Sequence, residues 1–322
     1  MFSRARQAAT IQALKAKRTK SSPKPATRES AEPDPALRQA PASGVPKPAL
    51  RRRGFRLLAL LLPVVLLAAV ELGLRLAGYG YPTGFFLPAR VQDRPVFIEN
   101  QQFTKRFFPP GLARSPQPLV LPSAKAPETC RIFVFGESAA MGDPEPAIGV
   151  SRILEVLLRA RYPGKQFEVV NTGVTAINSH VVRQIAKDCA PRAGDVWIVY
   201  MGNNEVIGPF GAGTVFSARA PGLPVIRANL AFKSLRLGQL ADSVKYRLAR
   251  PAELPGSWEG MEMFLKNQIR VDDPRLDRVY AHFAANLSDL LALGEKSGAR
   301  LLLSTVVSNL KDCPPFASLH RP

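Results

Sequence analysis

Residues 57–70 read LLALLLPVVLLAAV without a single charge, and apolar character continues past Glu71 and Arg75 to Gly78. About 20 such residues cross the hydrocarbon core of a bilayer as a helix. The stretch therefore divides the chain into a part before it, the stretch itself and a part after it, each to be read separately. Glu71 and Arg75 stand four apart on one helical face, where they can pair or sit at an interface, and Pro63 is tolerated in a membrane helix. A buried core helix and a cleavable signal peptide are the alternatives. A signal peptide would lie closer to the start and end in a small-residue cleavage site. The expectation is a transmembrane helix over 57–78, with the lipid bilayer as its partner.

The charge distribution orients that helix. The chain carries a formal net charge of +19 over 322 residues, which would suggest nucleic acid if it were evenly spread. It is not: residues 1–56 hold fourteen Lys and Arg against three acidic residues, a net of +11. With no aromatic and basic motif besides, a nucleic-acid partner is not expected. The same stretch is rich in Pro, Ser and Ala without a sustained apolar period, so it cannot bury enough surface to offset ordering entropy and is read as a disordered basic tail. Its first twenty residues could also lie on anionic lipid. Arg51, Arg52, Arg53 and Arg56 directly precede the apolar run, whereas Tyr79, Tyr81, Phe85 and Phe86 follow it. Positive-inside and aromatic-belt arguments agree on a cytoplasmic N-terminus and an extracytoplasmic C-terminal domain, a single-pass arrangement.

Three cysteines, Cys130, Cys189 and Cys313, are too few for a disulfide scaffold, and with the scattered His180, His282 and His320 they match no metal-ligand spacing. No metal or cofactor is expected. Residues 79–128 carry many prolines and aromatics without periodicity, which suits a stalk or a loop packed on a domain edge.

From Cys130 the pattern becomes alternating strands and helices. Strands are expected at 131–135 (RIFVF), 167–171, 195–201 (DVWIVYM) and 300–307. Helices are expected at 150–162, with Val150, Ile153, Leu154, Leu157 and Leu158 on one face, at 179–188, and at 276–297, bearing Leu276, Val279, Tyr280, Phe283, Leu287, Leu290 and Leu291. Such alternation implies an α/β domain over 129–322, a parallel sheet with helices on both faces. Residues 208–257, rich in Gly, Pro and Arg, interrupt the repeat as a long insertion with a helix near 230–248, able to cover a site.

Ligands of an open parallel sheet bind at the carboxyl ends of the strands. There the chain places GESAAMG after the first strand, NTG after the second and GNNE after the third. A serine just after a strand, flanked by small residues, can present its hydroxyl at the sheet edge. The Gly173 N–H, the Asn204 side-chain amide and the Ser138 N–H could converge as donors to a developing oxyanion, an arrangement suited to acyl transfer. The plainer readings are Ser138 as a helix N-cap and Asn203 and Asn204 as turn residues. Glu137 and Glu205 read as local hydrogen-bond acceptors, His180 as a residue at a helix start away from the site, His282 as one on a helix flank, and Asp272 and Asp273 as a helix entry.

Taken in order, these blocks resemble the SGNH hydrolase family, also called GDSL-type esterases. The first block is FGESAAMG, with Glu137 where the family has Asp; the second is NTG; the third is GNNE, with Glu205 where the family has Asp. The resemblance covers roughly 130–307 and three of four defining blocks. It implies a flavodoxin-like three-layer α/β fold, Ser138 as nucleophile, Gly173 and Asn204 as oxyanion-hole donors, and hydrolysis of an acyl-ester substrate, with cell-envelope glycan a candidate carrier. The family's fourth block supplies a histidine as general base with an Asp three residues earlier. Here the position three before His320 is Ala317, so the pattern fails and the base is unidentified. The expectation is a chain that continues beyond Pro322, and one that leaves a strand edge and an apolar helix-facing surface open. A non-catalytic envelope module on the same fold is the second reading.

Overall fold

A computed structural model of the chain describes residues 49–216, 221–249, 257–309 and 311–312. The basic tail up to residue 48, Cys313, His320 and parts of the insertion lie outside the described residues. The chain divides into two units, Met1–Phe55 and Arg56–Pro322, and the fold below belongs to the second.

Helix α1 (Ala49–Leu76) begins before the uncharged run and ends close to where that run predicts. Its segment Leu58–Leu76 is long and apolar enough to cross a membrane, and no residue of it is fully buried, although Glu71 and Leu74 near its end are half-buried. The Glu71 and Arg75 pair forms, with Arg75 Nε donating to Glu71 Oε1 at 2.7 Å. Glu71 also accepts the backbone N–H groups of Arg236 and Leu237.

The main sheet is parallel and four-stranded. Its strands are β4 (Thr129–Gly136), β5 (Gln166–Asn171), β6 (Val196–Tyr200) and β7 (Arg300–Ser304), in the order β5-β4-β6-β7. Strand β4 is an apolar run ending at a glycine, as buried parallel strands are, whereas β7 at one edge is mostly exposed. The helices between them are α2 (Ser138–Met141), α3 (Val150–Arg161), α4 (Ser179–Cys189), α5 (Leu223–Lys233), α6 (Arg236–Ala249) and α7 (Arg275–Lys296). The insertion thus carries two helices, α5 and α6, where the sequence suggests one. Asp273 accepts the Arg275 N–H at 2.9 Å at the mouth of α7, the helix entry expected there.

Residues 79–128 depart from the expected irregular stalk. They form a second, antiparallel sheet of β1 (Phe86–Val91), β2 (Arg94–Glu99) and β3 (Val120–Pro122). Pro88 and Pro95 hide the strand pattern, and the driving force is aromatic burial: Phe85, Phe103, Phe107 and Leu112 belong to the same apolar core as Phe133, Phe135 and Trp197 of the main sheet. Burying aromatic side chains contributes more than local propensity can oppose. Polar contacts fix the join. Asp188 of α4 accepts the Phe85 N–H at 2.5 Å, and the Arg192 guanidinium lies over the rings of Phe86 and Phe97, 4.3 and 4.4 Å from their centroids.

Two helix faces also differ from expectation. On α3 Leu154 and Leu158 are half-buried while Val150, Ile153 and Leu157 are exposed. The helix packs on β5, an edge strand, which is too narrow to cover the whole apolar stripe. On α7 Tyr280 is exposed, whereas Leu276, Val279 and Leu290 are buried. Strand β7 is the opposite edge among the described residues, with Leu302 and Leu303 more than half exposed.

At the amino end of the sheet Arg131 of β4 is 1% exposed. Its Nε donates to Glu168 at 2.7 Å, and its terminal nitrogens donate to the carbonyls of Arg192 and Pro122 at 2.8 and 3.0 Å. One guanidinium thereby joins β4, β5, the α4–β6 loop and β3. Removing one partner of a buried pair strands the other. Arg131→Ala is therefore expected to cost about 3 kcal/mol in a urea unfolding experiment; a loss below about 1 kcal/mol, the range of exposed pairs, would show that the sheets are joined by apolar packing alone.

Candidate functional site

Strand β4 ends at Gly136, where a Cβ would come within 2.1 Å of the Tyr200 carbonyl oxygen on β6. Only glycine lets these strands stay paired to their carboxyl ends. Glu137 follows in extended conformation as the cap of α2, and Ser138 is the first residue of that helix. The helix stops after one turn because Gly142 adopts φ +90 and returns its N–H to the Ser138 carbonyl. Ser138 is half-buried, directly off the carboxyl end of an inner strand.

Gly173 lies against the same turn: a Cβ there would stand 2.6 Å from the Met141 nitrogen. The contact is held by Asn171, the last residue of β5. Its Nδ2 donates to the carbonyls of Ala140 and Met141 at 3.0 and 3.1 Å, and its Oδ1 accepts the Gly173 N–H at 2.9 Å. In the sequence Asn171 belongs to the NTG block and closes the strand expected at 167–171. A polar residue closing an apolar strand was the available signal. The Gly173 N–H thus faces Asn171 here, and an oxyanion would have to compete with that bond.

The third loop is brought in by Glu137, which is 0% exposed. Its two oxygens accept the N–H groups of Gly202 at 3.2 Å and Asn204 at 2.9 Å. The Asn204 side chain donates to the Ile177 carbonyl at 3.0 Å, so its amide, too, has a partner inside the protein. Loops after β4, β5 and β6 therefore meet, with Ser138, Gly173 and Asn204 on them.

Behind the loops is a buried polar chain. Glu205 accepts both the N–H and the hydroxyl of Ser179, at 2.7 and 2.8 Å. The Asn286 amide bridges the Ser179 hydroxyl and His180 Nδ1, each at 3.1 Å. His180 stands at the start of α4 as expected. His282, expected on a helix flank, is instead buried, its ring 5.4 Å from that of His180, because α4 and α7 pack face to face. Burial first, then His282, Arg227 and Arg183, push the His180 imidazole down to about 3, so it is neutral. Among the described residues neither histidine bonds to the Ser138 hydroxyl, and no three His, Cys, Asp or Glu side chains stand close enough to hold a metal ion. Cys130 and Cys189 are free thiols.

A groove of about 570 Å³ runs beside the site between β3, β5 and α3, lined in part by Gln117, Pro146, Arg152, Arg159, Glu168 and Asn171. Gln117 donates to the Met141 carbonyl at 3.0 Å, so the groove starts at the turn that carries Ser138.

No family model matches the chain, and no curated protein matches it. Among solved structures it is similar to AlinE4, an SGNH-hydrolase family esterase, at 20% identity over 55% of this chain and 77% of that one, with a TM-score of 0.24. Two mutants of the same esterase give the same figures. A likeness that slight carries no argument about the chemistry, which rests on the geometry above.

Glu137 and Glu205 are buried within reach of each other's charge. Burial, then Glu205, raise Glu137 from 4.5 to about 8, against the opposing N–H bonds; burial raises Glu205 to about 7. A carboxyl that ionises later folded than unfolded binds an extra proton in the folded state between those values. Its stabilising contribution is complete below 4.5 and is lost as the pH rises to about 8. Urea midpoints of the parent are expected to fall across that window, and Glu137→Gln to flatten the decline. An equal decline in both proteins would remove Glu137 as its source.

Proposed function

We propose that the chain is a membrane-anchored serine hydrolase of the SGNH type, acting on carboxylic O-acyl esters outside the cytoplasm, with cell-envelope carbohydrate as a candidate carrier of the acyl group. In this reading α1 crosses the bilayer with its basic amino end inside, and the α/β unit is the three-layer, flavodoxin-like domain of that family. One observation carries the chemistry: the one-turn helix that starts with half-buried Ser138 at the carboxyl end of β4 is met at Met141 by the Gly173 loop, and Glu137 just before it holds the Asn204 loop. The Ser138 hydroxyl oxygen adds to the ester carbonyl and gives its proton to water; its own N–H, the Gly173 N–H and the Asn204 amide, released from Asn171 and Ile177, hold the oxyanion. The bond to the alkoxy oxygen then breaks, the alcohol leaves with a proton, and a water molecule hydrolyses the acyl-serine ester to free acid and Ser138.

A second reading is favoured by a specific observation. The Gly173 N–H and the Asn204 amide already have partners, and His180 bonds Asn286 and packs edge-on against the His282 ring, neither histidine bonding the serine. A site with its donors engaged and, among the described residues, no histidine bonded to the serine suits a non-catalytic module that binds an acylated glycan or an envelope partner on the same fold.

Hydrolysis of p-nitrophenyl acetate by the purified protein separates the two. The catalytic reading expects Ser138→Ala to lower the rate about a thousandfold, as loss of a nucleophile does. Equal rates in parent and variant, or no hydrolysis by the parent, favour the binding module.

A further inference from the structure

The carboxylate of Glu71 sits five residues before the end of α1, within its apolar segment. At 1.5 Å rise per residue that is about 7 Å below the helix end. A charge at such depth needs partners, and Glu71 has three: Arg75 Nε at 2.7 Å, the Arg236 N–H at 3.0 Å and the Leu237 N–H at 2.8 Å. The last two are first-turn donors of α6, so a residue of the apolar helix caps a helix of the insertion. The join continues upward. Gln239 of α6, 5% exposed, accepts the Tyr81 N–H at 2.9 Å and donates to the Tyr81 carbonyl at 3.1 Å, and the Tyr79 hydroxyl bonds Ser243 at 3.3 Å.

The α5–α6 corner is therefore held beside the last turns of the apolar segment and not above them. At that corner Phe232 and Leu235 are 42% and 41% exposed, and farther along α6 Leu248 is 80% exposed. From Lys233 to Arg247 the hairpin carries four basic side chains against one acidic, Asp242, which pairs with Lys233 at 3.0 Å. Exposed apolar side chains interleaved with unopposed basic ones, placed level with an apolar helix, have the composition of an element lying in the headgroup layer.

We propose that the α5–α6 hairpin is a second membrane contact: it lies in the interfacial layer of an anionic bilayer, with Phe232 and Leu235 in the acyl boundary and Lys245 and Arg247 at lipid phosphates. This rests on the reading of α1 as a spanning helix. Glu71 then sets the depth of the hairpin, and the insertion holds the α/β unit against the lipid surface.

The test uses the full chain in vesicles of phosphatidylcholine and phosphatidylglycerol, without bromine and with lipid brominated both close to the carbonyl end and close to the methyl end of the acyl chains, so that position 235 and mid-bilayer position 66 each meet a quencher at their own depth. Leu66→Trp reports α1, Leu235→Trp reports the hairpin, and the parent's own tryptophans set the baseline. In both variants the added emission is expected to fall about twofold in brominated vesicles, as an indole within the acyl boundary does. Quenching at 66 with none at 235 overturns the hairpin contact and leaves the anchor standing. No quenching at either position overturns both. Quenching at 235 alone removes the spanning helix and with it the proposal as stated. Phe232→Trp repeats the measurement if Leu235→Trp fails to fold.

Discussion

A single guanidinium, that of Arg131, is the constraint on which the α/β unit is assembled. It lies at the amino end of the inner strand β4, out of water, and its donors reach a carboxylate on β5 and two carbonyls on the α4–β6 loop and β3. The backbone N–H of the same residue donates to Asp195 at 2.7 Å, just before β6, and Asp195 holds Lys125 from the approach to β4. A buried charge needs hydrogen-bond partners, and one of the Arg131 bonds, that to the Pro122 carbonyl, reaches the small sheet, so separating the small sheet from the main sheet would strand its donor.

The carboxyl end of the same strand is organised by a buried carboxyl group. Glu137 gathers the N–H groups of the β6 loop as Arg131 gathers carbonyls at the other end. Both ends of β4 thus carry a buried ionisable group, and the strand between them is uninterrupted apolar core. A central strand treated this way fixes the register of its neighbours. The position of Ser138 is inherited from that register and not from the short helix it starts.

Much of this was legible in the residues. RIFVF and DVWIVYM are recognisable as buried strands because β-branched and aromatic residues run unbroken to a glycine or a charge, and α4 and α7 follow from their apolar spacing. Residues 79–128 were not legible. Phe85, Phe103 and Phe107 have no period because they fill a shared core instead of one face, and two prolines break the strands' own signal. At the site, Ser138, Gly173 and Asn204 could be placed on loops, since that depends on strand ends. Where the Gly173 N–H and the Asn204 amide point could not, because Asn171 and Ile177 claim them through contacts that no spacing encodes. Val150, Ile153 and Leu157 teach the same lesson: periodicity identifies an apolar stripe, but the width of the strand beneath decides how much of it is covered.

The open edge of β7 has a consequence for association. The other edge strand, β5, is flanked by α3 and the β3 groove, so among the described residues the two edges of the sheet are unlike. A contact between copies that used β7 on both sides would be antiparallel about a two-fold axis, with Leu302 and Leu303 of each chain facing their counterparts. Such a contact is isologous and saturates at two chains. A pairing of that kind would close on itself as two chains with an eight-stranded sheet, and would not extend into a fibre.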